Sequence, residues 1–171
     1  MKEFQLQFDA NLISEMADRY SFQQEDTEAL EAGEEIRKGQ YTRDNLEKIF
    51  EWKTNGRGRS RLSKNNDEEI RDALYLASIA KTDRSAVAVL LGLSGVQVPV
   101  ASAILTSLDP ERFTIIDFRA LEALGKKRKE QKTATIDYYL EYLEYCRSLA
   151  KEADISLRTL DRALWQWSKE N

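Results

Sequence analysis

The chain has 171 residues, of which 42% are hydrophobic and 33% charged, enough to bury a core without a disulfide or a structural metal. Cys146 is its one cysteine and it has no histidine, which excludes intrachain disulfides, thiolate metal clusters, Ser-His and Cys-His nucleophiles and nearly all zinc-hydrolase designs. The formal net charge is −4, but the charge is polarised: "EDTEALEAGEE" from Glu25 to Glu35 is acidic, whereas "KTNGRGRSRLSK" and "GKKRKEQK" are basic.

Helical periodicity dominates from the start. After a short alternating stretch (Phe4, Leu6, Phe8), the pattern predicts a helix over Leu12 to Tyr20 and a second over about Gln24 to Lys38, ending at Gly39. Thr42 is an N-cap for a third, which sets Leu46, Ile49, Phe50 and Lys53 on one face. "TNGRGRSRLSKNN" reads as a polar Gly/Arg loop. Asn66 caps a fourth helix with Ile70, Ala73, Leu74 and Ala77 inward, and Asp83 caps a fifth, "RSAVAVLLGL", apolar on nearly all sides and expected to be buried. A sixth starts near Val98, with Pro99 in its first turn, where no amide hydrogen is needed. A seventh follows Asp117. An eighth runs from Thr135 to about Ala153 with Ile136, Tyr139, Leu140, Leu143 and Cys146 inward, and a ninth opens at Ser156 and carries Leu157, Leu160, Leu164 and Trp167.

The expectation is one all-α domain over residues 1–171. No apolar run approaches the roughly 20 residues that cross a membrane. No signal-peptide pattern opens the chain. A cytoplasmic protein with no membrane partner, no metal and no cofactor is expected. Acid–base chemistry falls to carboxylates, lysine or tyrosine.

"GLSGVQVPVASAIL", Gly92 to Leu105, is the least ordinary stretch. Two apolar helices are joined by a turn at Ser94 and Gly95, with Val96 as an apolar plug. Amides at the start of the second helix, aided by its dipole, bind phosphate without side-chain charge. "DPERFTIIDFRAL" follows at once and places Asp117 before another helix.

The segment Leu93 to Asp117 resembles the core of the helix-hairpin-helix DNA glycosylase superfamily, the HhH-GPD fold. There a hairpin of the form Leu-x-Gly-Val-Gly enters an Ala-rich helix, and an extended F-x-I-[IL]-D places an aspartate at the head of the next. Here "LSGVQVPVASAIL" and "DPERFTIID" match in register, and the likeness covers roughly Ser85 to Leu124. It implies an all-α multi-helix fold with one helix-hairpin-helix over about 84–108. It further implies DNA as partner, base-excision chemistry and Asp117 as the catalytic aspartate. Gly95, Val96, Gln97 and Val98 would be the hairpin residues on DNA. The chain departs from the pattern at Gln97, where the second hairpin glycine would stand. Pro99 occupies the position of the Schiff-base lysine of bifunctional members, so lysine-dependent lyase activity is not implied. One cysteine forbids the iron–sulfur cluster of some members, and the chain is shorter than a complete enzyme of the family.

A carboxylate beside C1′ stabilises the positive charge that builds on a sugar as its N-glycosidic bond breaks, or orients the attacking water. The base must first be flipped into a pocket of aromatic and apolar side chains. Trp52, Tyr138 and Tyr139 are candidate walls. Trp165 and Trp167 also qualify, but on the apolar face of a C-terminal helix such residues most often belong to the core. Arg57 and Arg59 in one basic loop, and Lys126, Lys127 and Arg128 in the other, are candidate phosphate contacts, with Arg119 and Lys53 as further single candidates. Asp161 is a candidate second acid near the cleft, but a helix-surface pair with Arg158 or Arg162 is the expected account. Asp117 is also an ordinary N-cap; a capping carboxylate stays ionised, so the two roles are compatible.

Three functions remain open on these residues. One is a monofunctional DNA N-glycosylase. Another is a non-catalytic nucleic-acid-binding module that keeps the fold. The third is a protein-interaction domain in which the hairpin is a helix corner.

Overall fold

The computed structural model describes residues 4–171. Among them are ten α-helices, two short 3-10 turns and no strand. Contacts divide the chain into two units, one of Phe22–Pro110 and one of Met1–Ser21 with Glu111–Asn171.

The first unit holds α2 (Gln23–Arg37), α3 (Arg43–Thr54), α4 (Arg59–Leu62), α5 (Asp67–Ile79), α6 (Asp83–Leu91) and α7 (Val98–Leu108). Every residue of α7 except Pro99 is buried, and α2, α3 and α6 pack around it. So apolar a helix is stable only as the centre of such a cluster. Its buried hydroxyls are satisfied locally: Thr106 Oγ1 donates to the Ser102 carbonyl at 2.7 Å and Ser107 Oγ to that of Ala103 at 3.0 Å. Capping chemistry starts the helices. Thr42 accepts from the Asn45 amide, and Asn66 and Glu69 complete a capping box at α5.

Three sequence expectations change here. The Gly/Arg stretch is not wholly loop: Gly58 at φ +89° starts the single turn of α4, whose Leu62 is buried. The cap of α6 is Thr82, one residue before Asp83; its hydroxyl oxygen accepts from the Ser85 amide. The helix is buried along one face only, at Ala86, Val87 and Leu90, while Ala88 is exposed.

The second unit holds α1 (Ile13–Asp18), preceded by a 3-10 turn at Ala10–Leu12, and α8 (Phe118–Ala123), α9 (Ile136–Glu152) and α10 (Leu157–Glu170). The 125–134 segment includes a 3-10 turn at Arg128–Thr133. α10 packs on α1, α8 and α9. The amides of Gln5 and Gln7 donate to the carbonyls of Leu124 and Ala123, which lie at the end of α8 and lack helical partners. Phe4 rests among Tyr138, Tyr142 and Tyr145, and Phe8 stacks on Trp167 at 5.7 Å. On α9 the buried face includes Tyr142, whereas Ile136 and Leu140 are half-buried. Asp161 is buried rather than on the surface, ion-paired with Arg158.

Candidate nucleic-acid interface

The hairpin belongs to the first unit. α6 ends at Leu91, and the turn runs through Gly92 to Gln97. Leu93 and Val96 are buried, and the Val96 amide donates to the Leu93 carbonyl at 3.2 Å. Gly95 sits at φ +83°, a left-handed conformation that favours glycine. It is also covered: a Cβ there would fall 2.8 Å from the Leu62 amide nitrogen. Gln97 is the N-cap of α7, exposed and making no side-chain cap bond. Val98 is buried, and Pro99 lies in the first turn as the sequence predicts.

Asp117 belongs to the second unit. The extended segment before it joins no sheet, so its carbonyls need other donors. α9 supplies them. Arg147 donates to the Arg112 carbonyl through Nε (3.1 Å) and Nη2 (2.6 Å), the Tyr139 hydroxyl to that of Thr114 (2.9 Å), and the Tyr142 hydroxyl to that of Ile115 (2.7 Å). Phe113, Ile115 and Ile116 are buried. The segment is thereby fixed up to Asp117, whose Oδ1 accepts from the Ala120 amide at 2.8 Å and starts α8. Asp117 itself is half-buried. Burial first, then the neighbouring Cys146 and the Asp117 carboxylate, hold the Tyr142 phenol protonated well above its ordinary range.

A ladder of cations and rings adjoins Asp117 on α8. The Arg119 guanidinium lies over Phe118 (5.1 Å) and over Trp165 (4.9 Å), Arg128 lies over Phe118 at 3.9 Å, and Lys169 over Trp165 at 5.3 Å. Trp165 meets Tyr20 edge-on at 5.3 Å. These rings are faces that hold cations. Glu122 tempers the charge; it pairs with Arg128 at 3.1 Å and accepts from Ser168 at 2.6 Å. The sequence shows Arg119 and Trp165 separately, but their meeting depends on how α10 packs on α8.

The other candidate residues are dispersed. The Trp52 indole donates to buried Asp26 at 3.2 Å, within the first unit. Tyr139 is wholly buried behind the Asp117 segment. Tyr138 is half-buried and donates to Glu130 at 3.0 Å. Lys126 lies over Phe4 at 4.8 Å, and Lys127 and Arg128 are exposed. Arg57 is exposed and donates through Nε to the Thr54 carbonyl, while Arg59 pairs with Glu51 at 2.8 Å. Among the described residues no group of three or more His, Cys, Asp or Glu side chains could hold a metal ion. No helix among them is long and apolar enough to cross a membrane.

No protein-family model, curated protein or solved structure matches this chain.

Proposed function

We propose that this chain binds DNA in the manner of a base-excision glycosylase and hydrolyses the N-glycosidic bond of a damaged base with Asp117. The observation that carries the reading is the setting of Asp117. The carboxylate stands at the end of a segment braced by Arg147, Tyr139 and Tyr142, beside the Phe118–Arg119–Trp165 ladder. Such a group has one oxygen on the Ala120 amide and another to face a reacting sugar. In the reaction the C1′–N bond breaks and the base leaves with its electron pair. Water adds to C1′, and the proton it loses ends on the base. Asp117 stabilises the cationic sugar or orients the water. Gly95, Val96, Gln97 and Val98 supply the hairpin, and Arg57, Arg59, Lys126, Lys127 and Arg128 the phosphate contacts. Repair of damaged bases follows from this reading.

A second reading, a non-catalytic nucleic-acid-binding or protein-interaction module with the same fold, is favoured by the Asp117–Ala120 bond, because helix capping alone accounts for that carboxylate. The test is a panel of labelled duplexes carrying alkylated, deaminated and oxidised bases and an abasic analogue, with bound fraction and released base read together. Release of one class of base is expected. Binding without release selects the module, and no binding even at low salt contradicts both nucleic-acid readings.

A further inference from the structure

We infer that Arg61 and Lys64 are phosphate-backbone contacts for duplex DNA, and that Asn65 is the positioning residue that locks their loop to the hairpin turn. The inference rests on the DNA-binding reading and adds residues that reading does not contain. From Lys53 to Lys64 the chain carries five cations and no acid. Arg59 is engaged by Glu51. Arg61 and Lys64 are exposed and make no ion pair among the described residues.

The loop is not loosely attached. Asn65, 5% exposed, reaches across 29 positions to Ser94: its Nδ2 donates to the Ser94 carbonyl at 2.9 Å and its Oδ1 accepts from the Ser94 amide at 2.8 Å. The same Nδ2 donates to the Leu62 carbonyl at 2.8 Å, so one side chain joins α4 to the turn. Arg43 holds the Asn65 carbonyl from behind at 2.6 Å. The Arg61 carbonyl carbon lies 3.2 Å from where a Cβ on Gly95 would stand, so Arg61 begins at the hairpin itself. The next acids along the chain are partly occupied: Asp67 pairs with Arg43 at 2.8 Å, and Glu69 closes the capping box with Asn66, leaving exposed Glu68. Two exposed cations on a base held by Asn65, beside a turn that lacks its second glycine, are placed to bear the phosphate charge that the turn's amides meet less closely.

The test measures the salt dependence of binding between the full chain and a labelled duplex carrying an abasic analogue. Each phosphate contact contributes about −0.9 to the slope of log K against log salt. Arg61→Gln with Lys64→Gln is expected to make the slope shallower by about 2, while Arg71→Gln on α5 leaves it unchanged. Asn65→Ala is expected to lose the same part of the slope with Arg61 and Lys64 still present. Should Asn65→Ala fail to fold, the surface double variant decides alone. A parent that binds and a double variant with the parent's slope overturn the inference and leave the DNA reading standing. A parent that does not bind the duplex at low salt overturns both.

Discussion

Gly33 of α2 lies directly on the backbone of Ser107 in α7: a Cβ on Gly33 would fall 2.0 Å from the Ser107 carbonyl oxygen and 2.2 Å from its carbon. No side chain can yield there, because the obstacle is main chain in a buried helix. Gly33→Ala gains about 1 kcal/mol of helix propensity but forces the two helices apart, and overpacking of this kind costs about 1–3 kcal/mol or more. The urea midpoint is expected to fall clearly, while Glu31→Ala on the exposed face of the same helix moves stability by less than about 0.5 kcal/mol.

Gly95→Ala meets two obstacles. Its φ of +83° strains any L side chain by about 1–2 kcal/mol, and its Cβ meets the Leu62 amide. A lower melting temperature is expected, with faster amide exchange across residues 61–65 as α4 lifts from the turn. Unchanged exchange there would contradict the account of the hairpin contact.

Tyr142→Phe removes one hydroxyl and leaves the Ile115 carbonyl without its donor in a buried site. The expected loss is about 1–3 kcal/mol, read by chemical denaturation. If base release is found in the parent, the same variant lowers its rate with little effect on duplex affinity, since Tyr142 is a buried brace of the segment before Asp117.

Stability is expected to fall at alkaline pH. Burial pushes the Cys146 thiol up to about 12 from an ordinary 9.0, against a lowering by the Tyr142 hydrogen bond. Burial raises Tyr142 well above its ordinary 10.0 as well. The folded chain therefore keeps protons that the unfolded chain releases. The stability from Cys146 is complete below about 9 and is lost progressively as pH rises toward about 12. Each such group costs about 1.4 kcal/mol per pH unit inside its window. Denaturation midpoints at neutral pH and near pH 11 check this. Cys146→Ala, less stable at neutral pH, shows a shallower alkaline decline.

What the sequence disclosed was local chemistry. Thr42, Asn66 and Ser156 announce their helices because a cap bonds an amide only two or three residues on, and Asp117 is legible for the same reason. At Thr82–Asp83 two capping residue types stand side by side, and local pattern could not choose between them. α4 escaped notice because one turn with a single apolar residue, Leu62, has no period. Tyr142 was missed because a tyrosine's burial depends on a partner for its hydroxyl, and that partner, Ile115, lies 27 positions away. The Asn65–Ser94 clasp and the Arg119–Trp165 contact are likewise tertiary. Hence the hairpin and Asp117 could be named from sequence, but not the groups that hold them.

The most direct measurement compares single-turnover base release by the parent and by Asp117→Asn across the lesion panel. Asparagine caps a helix about as well as aspartate, so the variant keeps its fold and loses only the charge. The account predicts release by the parent and a rate lower by on the order of a hundredfold or more in the variant, with duplex binding retained. Equal rates in the two proteins, or no release by the parent on any lesion, would contradict the role given to Asp117.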